Sequence, residues 1–251
     1  MATRKLAAVA LTVPVCVVTA AAPAMAEQHT ETLHANLQPL NESGASGTAN
    51  VTVEGTHVTV DINSNGLVAD APHAQHFHIG GQNTCPTDEA DTNDNGLIST
   101  PEGQPFYGDI QTSLTTEGDT SPDSGLAVDR MPTADSGGNV DYSRSFEVPQ
   151  DVADSLRDGD AVIVQHGIDV NGNGEYDTEA GQSELDPALP AEATHPATCG
   201  RLTSAPDGGV AAGGGGAMDN GANTALAGFG AFLVAAAGTV LFLGRRAHAN
   251  R

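Results

Sequence analysis

Ala49-Asn50-Val51-Thr52-Val53-Glu54-Gly55-Thr56-His57-Val58-Thr59-Val60-Asp61-Ile62 alternates apolar with polar residues on both sides of Glu54-Gly55. In an extended chain successive side chains point to opposite faces, so each arm presents one apolar and one polar face. The Glu54-Gly55 interruption between two such arms is the signature of a β-hairpin. Similar runs lie at residues 72–81, 106–115, 139–148, 161–168 and 197–202, separated by turn residues. This spacing predicts an all-β domain, an antiparallel β-sandwich. Few aromatics and no tryptophan leave Val, Ile, Leu and a few Phe to build its core. One short helix is expected at 150–157, with Asp151 as its cap and Gly159 just beyond its end.

Outward from this domain, both ends of the chain carry membrane-related signals. Arg4-Lys5, an apolar run from Leu6 to Ala22 and Ala24-Met25-Ala26 have the form of a cleavable signal peptide, residues 1–26. Residues 27–202 then form the external domain. Residues 203–223, rich in Gly and Ala, form a flexible linker. Residues 224–244 are uncharged and apolar, about the length of a bilayer-spanning helix. Arg245, Arg246 and Arg251 follow, so residues 245–251 form a basic cytoplasmic tail by the positive-inside rule. The expectation is a single-pass protein of the cell membrane with its N-terminal domain extracytoplasmic. A retained N-terminal anchor and a buried C-terminal helix are the alternatives.

Between these ends all 32 acidic residues face only four arginines (Arg130, Arg144, Arg157 and Arg201), a formal charge of −28. Such a surface repels nucleic acid, attracts divalent cations and suits high ionic strength. Nothing in the chain names a protein partner. With Cys16 inside the signal segment, Cys85 and Cys199 remain, and in an exported domain they most simply form one disulfide. Two free thiols are the alternative.

Three elements carry candidate chemistry. In Pro72-His73-Ala74-Gln75-His76-Phe77-His78-Ile79-Gly80-Gly81, an extended chain places His76 and His78 on one face, where they form half of a metal site or a hydrogen-bonded pair. Residues 91–102 follow the spacing of a calcium loop: Asp91, Asn93 and Asn95, the Leu97 carbonyl, Ser99 and a bidentate Glu102 at position twelve. No amphipathic helices are expected beside it, and an Asx-rich surface loop is the other reading. Asp169, Asn171, Asn173, Glu175 and Asp177 repeat the first half of this pattern. Position twelve there is Ala180, so Glu179 or Glu184 would have to substitute.

The run Gly47-Thr48-Ala49-Asn50-Val51-Thr52-Val53, the hairpin after it, Gly66-Leu67 and His76-Phe77-His78-Ile79-Gly80-Gly81 together resemble a CHRD domain, the module named after chordin. The resemblance covers most of residues 31–201 and implies a sandwich-like extracellular module. More distantly, the chain is similar to copper/zinc superoxide dismutase, with a Greek-key sandwich. The matching residues are His76, His78, Cys85, His166 after Val162-Ile163-Val164-Gln165, and Cys199 between Ala197-Thr198 and Gly200. That resemblance implies convergence of His76, His78 and His166 on copper or zinc, with His73 or His195 as a fourth ligand. The departures argue against catalysis. No histidine lies between His78 and His166, Pro196 stands where the enzyme has its anion-guiding arginine, and the charge repels superoxide.

The expected function is therefore a calcium-stabilised binding or surface-structural module, without enzymatic activity. The alternative is a superoxide dismutase-like copper protein, storing metal or turning over superoxide. No Gly-x-Ser-x-Gly element, carboxylate pair or phosphate-cradling glycine loop supports other catalysis.

Overall fold

A computed structural model describes residues 30–204. The expected signal peptide, the membrane segment, the basic tail and the linker from residue 205 onward lie outside the described residues. Among the described residues no helix is long and apolar enough to cross a membrane.

The predicted hairpin forms β2 (Ser46–Glu54) and β3 (His57–Asn65), paired antiparallel with Val51 opposite Val60 and Val53 opposite Val58. Its alternation is realised, since Ala49, Val51, Val53, Val58, Val60 and Ile62 are fully buried. The preceding strand β1 (Thr30–Pro39), not singled out by the sequence reading, shows the same period through Leu33, Ala35 and Leu37. The other strands are β4 (Gln75–Gly80), β5 (Gly108–Ser113), β6 (Val140–Glu147), β7 (Val162–His166), β8 (Pro196–Arg201) and the short β9 (Thr203–Ser204). β9 pairs with β1 and carries the domain two residues into the stretch expected to be linker.

Hydrogen bonding runs along one curled antiparallel path, β5-β4-β7-β8-β1-β2-β3-β6. The joint is β1, whose body pairs with β2 while Gln38 and Pro39 pair with β8. The curl brings both halves onto a common interior, where Leu33, Val51 and Val60 share a core with Phe77, Ile163 and Ala197. Burying each Val, Leu or Phe there contributes roughly 1.5–3 kcal/mol. Helix α2 (Gln150–Arg157) appears where expected and adds Val152, Ala153 and Leu156 to the same core. Its cap differs from expectation. Pro149 holds the N-cap position without a side-chain bond, and Asp151 sits in the first turn, where a carboxylate favours the helix dipole.

Residues 106–115 correct the expected continuous strand. Its first residues finish helix α1 (Thr100–Tyr107), and β5 starts only at Gly108. Gly108 has φ +96, and a Cβ there would collide with the Ile79 carbonyl, so the abrupt helix-to-strand change requires glycine.

The sheet is covered on its outer face as well. Phe77 and Ile163 enter the main core, so His76, His78, Val162 and Val164 point the other way, beneath the long connections. There Val162, Val164 and Cys199 pack with Leu40, Tyr107 and Cys85 in a second, smaller core. Cys85 and Cys199 form the expected disulfide, with Cα atoms 5.8 Å apart in space and a separation of 114 in sequence.

Candidate metal centre

Strand period places His76 and His78 on one face of β4, and β4 pairs with β7 so that Val164 lies opposite His76. A register shift between Gln165 and His166 occurs where β7 leaves the sheet. The outcome is that the two neighbouring histidines of β4 and the distant His166 at the end of β7 meet beneath the connections. One ring nitrogen from each of His76, His78 and His166 lies within 4.8 Å of the others. Ring centroids are 5.5 Å apart for His76–His78, 5.2 Å for His76–His166 and 6.1 Å for His78–His166. All three are at most 3% exposed. The convergence implied by the superoxide dismutase resemblance is present.

Hydrogen bonds fix each ring's tautomer. His76 Nε2–H donates to the Gly125 carbonyl at 2.9 Å, His78 Nδ1–H to Gly108 at 2.9 Å and His166 Nδ1–H to Thr194 at 2.7 Å. The remaining nitrogens, His76 Nδ1, His78 Nε2 and His166 Nε2, are buried without a partner. Each ring is thus turned by a carbonyl so that its lone pair is free, as a metal-ligating imidazole requires. Burial, and repulsion from its two histidine neighbours, holds His76 well below the ordinary imidazole value. Burial likewise lowers His78 to about 3, helped by His166, and His166 to about 4. The rings are therefore neutral, the form that binds metal.

The three carbonyls come from three covering segments, each braced by a carboxylate. Gly108 follows α1, whose start is closed by Glu102: its carboxylate accepts from the Ser99 N–H and hydroxyl, and from the Thr92 N–H and hydroxyl. Burial opposes ionisation of Glu102, but these four bonds hold its carboxyl well below the usual range. Gly125 follows the turn Pro122–Ser124, where Asp119 accepts from the Ser121 and Ser124 hydroxyls, both at 2.6 Å. Thr194 ends the short helix α3 (Ala191–Thr194). Within it Glu192 is fully buried, accepting from the Val170 N–H at 2.8 Å and the Asp177 N–H at 2.6 Å. The Thr100 hydroxyl donates to the Thr194 carbonyl at 2.6 Å, joining the first segment to the third.

The two acidic loops sit in this covering layer and share one internal frame. Asp91 accepts from the Asn95 and Gly96 N–H groups, as Asp169 does from Asn173 and Gly174. Asn93 and Asn95 brace the loop by accepting from Asn95 and Leu97, and Asn171 and Asn173 do so from Asn173 and Glu175. Loop 91–102 runs into α1, where Ser99 and Glu102 form a capping box. In the second loop the Val170 and Asp177 N–H groups donate to Glu192, and the Glu179 carboxylate accepts from the Asn171 amide. Neither loop gathers three His, Cys, Asp or Glu side chains into metal-binding range. Among the described residues the group that does so is the histidine trio.

His73 lies outside the close-set group. Its Nδ1 lies 2.8 Å from the His166 carbonyl and its Nε2 3.0 Å from the Val68 carbonyl, and the Tyr176 hydroxyl is 3.1 Å from Nδ1. His195 is buried with Nδ1 unpartnered, but it lies outside the close-set group. Gly108, Gly125, Thr194 and Glu192 escaped the sequence reading, since a backbone carbonyl leaves no mark in sequence and Glu192 sits in no motif. No protein-family model matches the chain, and no curated protein matches it.

Proposed function

We propose that the domain is a metal-binding module in which His76, His78 and His166 hold one copper or zinc ion. The observation that supports this most strongly is the set of three buried, neutral imidazoles, each with one nitrogen tied to a carbonyl and the other free. Leaving three such acceptors unsatisfied costs about 1–3 kcal/mol each, a cost that a shared ion removes. Nitrogen donors and deep burial suit copper or zinc rather than calcium or magnesium. Once bound, the ion supplies a Lewis acid or, if copper, a one-electron centre. The chain's own part is to hold three oriented donors in a dry site.

Storage or display of the metal fits better than superoxide turnover, because no arginine lines the pocket over His76 and His166 and the domain's four arginines are hydrogen-bonded elsewhere. Arg130 donates to the Glu117 and Asp119 carbonyls, Arg144 to Thr115 and Gly118, Arg157 to Gly55 and Asp154, and Arg201 to Gly159. In this reading the curled sheet is a superoxide dismutase-like Greek-key sandwich within a CHRD-like domain. It is exported by residues 1–26 and tethered by residues 224–244. Equilibrium dialysis of the purified full-length chain should show one tightly held zinc or copper per molecule. His78→Gln or His166→Gln should weaken it at least about 100-fold, as the loss of a ligand demands. Equal uptake by the variants refutes the proposal.

The matched frames of the two acidic loops favour calcium as a second, structural ligand. Glu102 and Glu192 each meet the N–H at loop position two, Thr92 and Val170 respectively. Calcium should then raise the melting temperature of the chain, and an unchanged melting curve with calcium or chelator removes this reading.

A further inference from the structure

Among the described residues the large hydrophobic side chains left exposed are Leu126 (39%), Val170 (43%) and Leu185 (43%). A single exposed apolar residue is ordinary and needs no reason. Leu126 and Leu185 differ, because they come from two separate covering segments and meet at one crevice, beside Ile110, Val128, Leu189 and Ala193. Together they make an apolar patch on the layer that closes over His76 and His166. The crevice itself encloses only about 20 Å³, room for one methyl-sized tip and too little for a separate small molecule. What covers the patch is therefore part of a larger surface.

The rim of the patch decides the chemistry of that surface. Asp123 and Asp129 bracket Leu126 and Val128, and Glu184 and Asp186 flank Leu185. Asp123, Asp129 and Glu184 are exposed, and their carboxylates accept no hydrogen bond among the described residues. By contrast Glu102, Asp119 and Glu192 hold N–H and hydroxyl groups of the domain itself. The nearby Arg130 is tied to the Ser124 hydroxyl and to the Glu117 and Asp119 carbonyls. A second copy of the chain brings the same acidic rim, and an anionic membrane surface is repelled in the same way. An ion in the trio adds at most two positive charges against the −28 of the external part, so the sign of the field is unchanged. Positive charge around an apolar centre is the complement.

We propose that this face docks a partner protein through an amphipathic segment with an apolar centre and a border rich in lysine or arginine. Leu126 and Leu185 pack against its apolar side chains, the tip of one entering the crevice. Asp123, Asp129, Glu184 and Asp186 meet its cations. The apolar contacts supply affinity, while the rim speeds encounter and disfavours acidic partners. Docking of this kind requires no ion in the trio.

The probe is a synthetic amphipathic helix of leucine and lysine, about four turns long, with a fluorescent label. Its binding to the full-length chain is followed by fluorescence anisotropy, beside a lysine–serine peptide of equal charge. The leucine–lysine peptide should bind at least about tenfold more tightly than the lysine–serine peptide, and salt should weaken it. Leu126→Ser and Leu185→Ser should each weaken it about tenfold, as for a central apolar contact, without lowering the melting temperature. Val170→Ser removes an exposed apolar side chain that does not line the crevice and should have no effect. Glu184→Gln combined with Asp123→Asn should reduce the salt dependence. Equal binding of the two peptides, or binding indifferent to both leucine substitutions, overturns the proposal. A dimer that is lost in Leu185→Ser also overturns it, the patch then being covered by a second copy. Binding to phosphatidylcholine vesicles that is lost in the same variant overturns it in favour of lipid.

Discussion

Acidifying the metal-free protein from pH 7 to pH 5 should cost it much of its stability, and the histidine trio should be the cause. An unfolded chain protonates its imidazoles near pH 6.5. In the folded domain burial holds His76 far lower, His78 at about 3 and His166 at about 4. Because the folded values are depressed, the stabilising contribution is complete above about pH 6.5 and is lost as the pH falls toward 4 and 3. Within that window the unfolded chain binds protons that the folded domain refuses. Each imidazole then contributes up to about 1.4 kcal/mol per pH unit. Three of them over about 1.5 units set a ceiling of about 6 kcal/mol. Part of the depression of His76 and His78 is repulsion between neighbouring rings, absent while the neighbours stay neutral, so the expected loss is about 3 kcal/mol. That is a large fraction of the 5–15 kcal/mol typical of a domain. Paired carboxylates such as Glu102 and Asp119 titrate in the unfolded chain only near pH 4, so they do not obscure the range above 5. Urea unfolding followed by far-UV circular dichroism at pH 7, 6, 5.5 and 5 measures the slope. His73 and His195 are also buried and lowered and add to the same slope, so His166→Gln should reduce it by less than a third. An unfolding free energy that stays flat from pH 7 to pH 5 refutes the assignment of three buried neutral imidazoles.

Two further outcomes follow from the bracing of the site. Glu192→Gln keeps the size of a buried side chain but removes the charge that holds the Val170 and Asp177 N–H groups, so α3 and the Thr194 carbonyl lose their brace. Zinc affinity, measured by competition with a chromophoric chelator, should fall about 10–100-fold, as for other residues that orient a ligand, while Glu179→Gln should leave it unchanged. Reducing the Cys85–Cys199 bond, which spans 114 positions, should lower the unfolding free energy by about 4–5 kcal/mol in urea titrations with and without reductant.

The sheet was legible because its strands carry a period of two. Val51, Val53, Val58 and Val60 could face inward together only as a hairpin, and the structure pairs them so. Strand β1 has the same period in Leu33, Ala35 and Leu37, but no turn signal draws the eye to it. α1 was misread because Pro101 and Pro105 suggest an irregular stretch, whereas Pro101 is tolerated in the first turn and the capping box supplies the start. In the site, His76 and His78 could be grouped by strand geometry alone. His166 joined them only through resemblance, since nothing local ties it to residues about ninety positions earlier. The carbonyls of Gly108, Gly125 and Thr194 were beyond reach, because which carbonyl meets which ring depends on how the connections close over the sheet.

The central claim, that three histidines form one metal centre, is tested most directly by EPR of the full-length chain carrying one equivalent of Cu(II). Nitrogen hyperfine coupling from three imidazoles, reduced to two in each of His76→Gln, His78→Gln and His166→Gln, is the result expected. A signal dominated by oxygen ligands and indifferent to all three substitutions would contradict it.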